Sequence, residues 1–346
     1  MAYTTIDDPS SVFQCALYSG NAGTQSITND GGSDLQPDMV WIKCRSGTHA
    51  TENHNLFDVV RGATKFLIPN GTTASTTDTN SLTAFNTDGF SLGTRTDVNG
   101  SGAYVGWQWK AGNSSGSTNS DGSLSTTVSV NTTAGFSIVK WTGADRTDSL
   151  GHGLGAVPKM IIAKRLATRA WTVYHEKVGA DKKLVLNTTA AESSSSDFDA
   201  TPTSSVINVG YTDDINGSGA DYIAYCWAEK KGYSKIGSYI ANGDASGGFV
   251  YTGFKIGWLM IKRTDDAAGW IIYDFKREGR NTENDYLLAS SSSGEGANNE
   301  IDLYSNGFKP REASRNELNV SGASYVYMCF AESPFVNSKG VPTNAR

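Results

Sequence analysis

Bulky apolar side chains alternate with small or polar ones along three stretches that share one pattern. In the first, Val105, Trp107 and Trp109 alternate with Tyr104, Gly106 and Gln108. The second sets Ile223, Tyr225 and Trp227 against Tyr222, Ala224 and Cys226, and the third sets Val326, Met328 and Phe330 against Tyr325, Tyr327 and Cys329. A period of two sends alternate side chains to opposite faces of a β-strand. Each stretch therefore predicts a strand in a sheet packed on one side, its bulky face inward. A small-residue turn precedes each strand, beginning Asn99-Gly100, Asn216-Gly217 or Asn319-Val320. Asn-Gly predicts a tight turn with positive φ, and Val320 predicts a different turn in the third copy.

Other landmarks recur in the same order. The apolar runs 39–43, 160–164 and 258–262 each close on a lysine, and Pro37 and Pro158 stand at the entrance of two of them. A missing N–H costs no ladder bond there. Trp171-Thr172-Val173-Tyr174 matches Trp270-Ile271-Ile272-Tyr273, while the first copy has Leu56-Phe57-Asp58 instead. Short apolar runs follow at 66–68, 184–186 and 286–288. Self-similarity at a period of roughly 100 residues is too long for a solenoid unit and suits a small β-sandwich. The predicted organisation is a β-sandwich repeat over 1–111, a Gly/Ser-rich linker over 112–133, a second repeat over 134–231, a third over 232–336 and a tail over 337–346. The glycines and serines of 112–123 predict a flexible hinge, whereas Lys230-Lys231-Gly232 leads straight into Tyr233 and predicts rigid packing of the second and third repeats.

Composition agrees with strands and turns. The 346 residues include 38 glycines and only 18% charged residues, a mix rich in Ser, Thr and Asn that disfavours helices. No apolar run is long enough to span a membrane, so no membrane insertion is expected, and the N-terminus reads as no signal peptide. A net charge of −6 without a basic cluster argues against nucleic-acid binding.

Candidate chemistry is sparse. His152 in Gly-His-Gly-Leu-Gly reads as a turn residue bonded to backbone before a strand; the glycines are no phosphate loop, because no helix follows. His49, His54 and His175 lack metal-ligand spacing. Asp213-Asp214, Asp265-Asp266 and Glu176 offer carboxylates, but in hydrophilic turns, and a glycosidase needs two across a cleft. Gly217-Ser218-Gly219 belongs to the repeated turn rather than to a nucleophile elbow. Trp171 and Trp270 recur at one repeat position, which favours core packing over sugar stacking. Cys226 and Cys329 are repeat equivalents and are not expected to pair with each other; Cys15 and Cys44 share one repeat and their redox state stays open. No catalytic residue, cofactor or metal is assigned.

The chain resembles a family of β-rich modules in tail-fibre-like and other virion proteins of bacteriophages, especially marine ones. The resemblance is carried by Ile6-Asp7-Asp8-Pro9, by Gly151-His152-Gly153-Leu154-Gly155 with Pro158-Lys159-Met160, by Gly232-Tyr233-Ser234-Lys235-Ile236-Gly237, and by Ala331-Glu332-Ser333-Pro334-Phe335. It covers nearly the whole chain. It implies concanavalin A-like or jelly-roll-like antiparallel sandwiches, so the expected fold is all-β with three tandem modules. It implies no established activity; with no catalytic motif recognisable, the expected protein is a non-enzymatic virion component made in the host bacterial cytoplasm. The expected role is a tail fibre or fibre-like attachment protein for host surface glycan or protein. A capsid or tail decoration protein is the alternative, and a polysaccharide-degrading tail enzyme the second. The expected partners are other virion proteins and further copies of the chain in a homo-oligomer such as a trimer, with the first repeat virion-proximal.

Overall fold

A computed structural model describes residues 3–277, 281 and 283–343. The first repeat contains β1 (Phe13–Gly20), β2 (Gln25–Ile27), β3 (Met39–Gly47), β4 (Asn55–Asp58), β5 (Lys65–Leu67), β6 (Thr76–Thr77), β7 (Leu82–Phe85), β8 (Phe90–Leu92) and β9 (Gly102–Trp109). Next come β10 (Ser117–Asn119) and β11 (Thr126–Asn131). The second repeat contains β12 (Phe136–Thr142), β13 (Asp148–Gly151), β14 (Met160–Arg165), β15 (Trp171–His175), β16 (Lys182–Val185), β17 (Ser193–Ser194), β18 (Phe198–Ala200), β19 (Val206–Val209) and β20 (Asp221–Trp227). The third contains β21 (Ser234–Ile240), β22 (Val250–Tyr251), β23 (Phe254–Arg263), β24 (Ile271–Asp274), β25 (Glu283–Leu288), β26 (Gly296–Tyr304), β27 (Gly307–Pro310) and β28 (Ser324–Pro334).

One topology recurs. The large sheets run β1-β9-β3-β4-β5-β6, then β12-β20-β14-β15-β16-β17, then β21-β28-β23-β24-β25-β26. Small sheets β2-β8-β7 and β13-β19-β18 accompany the first two, and β26-β27-β22 continues the third. All the ladders are antiparallel. In each repeat the aromatic strand is central, held between the first strand and the lysine-ending strand. The fold is all-β, as expected.

The two faces of the aromatic strand have different partners. Tyr104, with Val40, Ile42, Phe57 and Phe90, fills the space between large and small sheets of the first repeat. Tyr222, Ala224 and Cys226 do the same in the second. The bulky face points the other way: Trp107, Trp109, Tyr225, Trp227, Met328 and Phe330 belong to one cluster shared by all three repeats. Trp109 lies 6.4 Å from Trp227, 5.7 Å from Phe330 and 5.5 Å from Trp258, between ring centroids. The expected one-sided sheet is thus corrected. Both faces are buried, and the bulkier one is spent on joining repeats.

The joints repeat cyclically. Ser75 N–H donates to Leu166 O at 2.7 Å, Glu192 N–H to Thr264 O at 2.8 Å, and Glu295 N–H to Arg45 O at 2.9 Å. These link the first repeat to the second, the second to the third, and the third back to the first. A second set runs likewise: Trp171 Nε1 donates to Ile68 O (2.9 Å), Trp270 Nε1 to Val185 O (3.0 Å) and His54 Nε2 to Leu288 O (3.1 Å). The chain is a closed ring of three repeats around an aromatic axis.

That closure overturns the expected hinge. β10 pairs with β11, and β11 with β12, so the Gly/Ser segment extends the second large sheet. Gly122 lies so close to the Ser149 carbonyl that a Cβ would come within 2.2 Å of it. The glycines permit close approach rather than motion.

Candidate functional site

The repeated turn is a structural clasp. Asn99 Nδ2 donates to Gly23 O (2.6 Å) and Gly93 O (2.8 Å), and Asn319 Nδ2 to Asp244 O (2.8 Å) and Glu312 O (2.9 Å). Asn216 Nδ2 reaches Arg146 O at 2.7 Å. A tyrosine closes each turn. Tyr104 Oη accepts from Gly100 N (2.8 Å), Tyr222 Oη from Gly217 N (2.8 Å) and Tyr325 Oη from Val320 N (3.0 Å). The third turn therefore matches the others despite Val320. Gly100 has φ −74°, so the expected positive φ is absent there; Gly219 and Gly322 carry it instead. Gly100 is glycine because a Cβ would strike the His49 ring at 2.4 Å.

The lysines that close the apolar strands are fully buried. Lys43 Nζ donates to the carbonyls of Cys44 and Ala50, Lys164 Nζ to Arg165 and Ala167, and Lys262 Nζ to Thr189 and Ala268. Burial pulls the pKa of each down to about 8, because the charged form loses hydration. The third bridges repeats through Thr189.

Charges also staple the seams. Asp58 and Arg61 pair at 2.6 Å, and Tyr225 of the second repeat donates to Asp58 Oδ2 at 2.7 Å. Asp274 and Arg277 pair at 2.6 Å, and Trp107 Nε1 of the first repeat donates to Asp274 Oδ2 at 2.9 Å. At the remaining seam His175 occupies the aspartate position. Its Nδ1 accepts from Lys177 N, so its protonated Nε2 donates to Tyr327 O at 3.3 Å. Composition and motif reading missed these staples. The Asp-x-x-Arg spacing at 58–61 and 274–277, occurring at matched repeat positions, is the signal that finds them.

The cleft of about 300 Å³ lies where the third repeat meets the first, the one seam no peptide bond crosses. Asp8, Gln14, Cys15, Asp30, Lys276 and Glu332 line it. Its polar groups already have protein partners. Asp30 pairs with Lys276 across the seam at 2.7 Å, and Glu332 with Lys255 at 2.6 Å. Burial opposes ionisation of Asp8, but bonds from Ser10 and Ser33 outweigh it and hold the carboxyl below its ordinary range. Gln14 Nε2 donates to Ser10 O and Ser33 O, and its Oε1 accepts from Gly31 N. Burial pushes the Cys15 thiol well up, which makes it a poor nucleophile.

The residues singled out in the sequence are dispersed. His152 is buried, with Nδ1 accepting from Leu154 N and Nε2 bonded to Thr203 O, both at 3.2 Å. Asp213 pairs with Arg165 and Arg169, Asp214 with Lys183, Asp265 and Asp266 with Arg263, and Glu176 with Lys159. His49 faces Glu52 at 3.8 Å. Trp171 and Trp270 are buried seam residues, and all four cysteines are buried free thiols. Among the described residues, no group of three His, Cys, Asp or Glu side chains could hold a metal.

Fold and site together define an all-β protein whose repeated sheets close on a common core. The family described as domain of unknown function DUF7483 matches residues 8–334, and the chain belongs to it. That span begins before β1 and ends with β28, so the family unit is the whole ring. No curated protein and no solved structure matches the chain.

Proposed function

We propose that the protein is a non-enzymatic bacteriophage virion component, a tail fibre or fibre-like attachment protein that presents loops to a host surface glycan or protein. The observation that carries this reading is the division of labour in the ring. Both faces of the aromatic strands and the charges of the seams are spent on rigidity, which leaves the loops free to vary. The internally paired carboxylates of the seam cleft support a binding rather than a hydrolytic role. Other virion proteins anchor it, and several copies on one particle supply avidity. Decoration of the capsid or tail is the second reading, favoured by the closed body.

Deleting the third repeat is no test, since Trp258 and Phe330 complete the core. The test is immunogold microscopy of purified virions, combined with an adsorption assay in the presence of Fab fragments against the protein. Tail labelling with blocked adsorption supports attachment. Capsid labelling with normal adsorption favours decoration, and unlabelled virions overturn both. Release of reducing ends from host polysaccharide by the purified protein would bring the enzymatic reading forward.

A further inference from the structure

The three repeats differ on the outer face of their small sheets. Register defines the matched positions: Ile27 faces Phe90, Leu150 faces Ile207 and Val250 faces Phe308, all inward. The residues on either side point outward. They are Ser26 and Thr28 in the first repeat, Ser149 and Gly151 in the second, and Phe249 and Tyr251 in the third. Phe249 is 49% and Tyr251 58% exposed. In the second repeat the face is partly covered, because Leu124 bridges to Leu150 and Ser123 N–H bonds Ser149 Oγ. In the third, both rings keep about half their surface exposed, although the Tyr3 hydroxyl approaches Tyr251 beside Gly253.

The Phe249 ring is held in place. Phe249 lies over Gly307, where a Cβ would come within 2.7 Å of the ring. The ring also meets Tyr304 edge-on at 5.8 Å. Tyr304 Oη donates to Asp302, which Arg311 neutralises at 2.8 Å. Lys309 Nζ donates to Ser246 Oγ, and the Ser246 N–H donates to Asp244 Oδ1, both at 2.7 Å. The face carries a fixed aromatic plane at Phe249 with a second ring at Tyr251, hydroxyl and ammonium groups, and balanced charge.

We propose that this face, built on Phe249 and Tyr251, is a binding site for a neutral saccharide. The C–H face of a pyranose ring stacks on such planes, and a few flanking polar groups orient its hydroxyls. The apolar patch is small: two rings of roughly 200 Å² each, about half exposed, match one sugar ring better than the hydrophobic centre of a protein interface of ~800 Å² per side. Strand addition is disfavoured too, since β22 offers an edge of only two residues. Balanced charge disfavours a polyanionic sugar. The site gives a ligand class to the attachment reading, and its biological meaning rests on that reading.

The experiment is affinity electrophoresis of the full-length protein in gels containing dextran, mannan or galactan, beside a Phe249→Ala/Tyr251→Ala variant. Retardation by at least one polysaccharide, weakened tenfold or more in the variant at unchanged thermal midpoint, is expected. A Ser26→Ala/Thr28→Ala variant should bind as the parent does. No retardation by any of the three overturns the site, as does retardation equal in parent and variant. Sedimentation velocity covers the remaining occupant: a dimer dissolved by the aromatic variant would make the face a contact between copies and overturn the proposal. Adsorption blocked by Fab without polysaccharide binding would sink the site and spare the attachment reading. Polysaccharide binding without any effect of Fab on adsorption would do the reverse.

Discussion

Trp109 touches every repeat, through Phe13 of its own, Trp227 of the second and Trp258 and Phe330 of the third. The indole N–H groups of Trp109, Trp227 and Trp258 have no protein acceptor, so these three rings join the axis through packing and burial. Trp109→Ala should cost about 3–5 kcal/mol, read as a lowered denaturant midpoint; a loss below about 1 kcal/mol would show that the axis is not where stability resides. His175 predicts a pH effect at another seam. Burial holds its imidazole neutral, with a pKa lowered to about 4, against about 6.5 in an unfolded chain. Between these values the unfolded chain binds the extra proton, so stability present above pH 6.5 falls as pH drops toward 4, by an amount on the order of 3 kcal/mol. Denaturant midpoints at pH 7, 6, 5 and 4 should decline less steeply for His175→Gln. An identical decline in the variant would place the acid sensitivity elsewhere, for instance at His54.

At the scale of elements, β10 and β11 are the sharpest departure from the sequence reading. A run of Gly, Ser and Asn has the composition of a flexible linker, and composition cannot report that Val128 sits across from Val139 in a ladder. Amide hydrogen exchange should find 126–131 protected to the level of a sheet interior, with 117–119 slower than free chain. Exchange at the free-chain rate across both would restore the hinge. Strand periodicity, by contrast, was legible, because alternation of Trp107 with Gln108 is geometric whatever the strand packs on. What it packs on was not legible. A face of Val105, Trp107 and Trp109 looks the same whether it meets its own small sheet or two neighbouring repeats. Val320 misled for a related reason: the turn is fixed by Asn319 and Tyr325, and glycine at 100 answers to His49, a residue distant in sequence.

On the scale of the whole molecule, the seams at 58–61 and 274–277 and the cleft between Asp30 and Lys276 are products of ring closure. Sequence could reveal three copies but not that their bulky faces converge. The peptide chain crosses two seams; the third rests on Arg45–Glu295 at 3.0 Å, Phe13 stacked on Phe330 at 5.5 Å, and the Tyr3 hydroxyl on Gly253 O. If the repeats share one core, none can melt without uncovering the apolar faces of the other two. Differential scanning calorimetry of the intact protein near pH 7 measures this most directly. One endotherm is predicted, with calorimetric and van't Hoff enthalpies equal and with tryptophan fluorescence and far-ultraviolet dichroism changing together. Two or three resolved transitions, or a van't Hoff enthalpy near one third of the calorimetric value, would mean independently folding repeats and would contradict the closed ring.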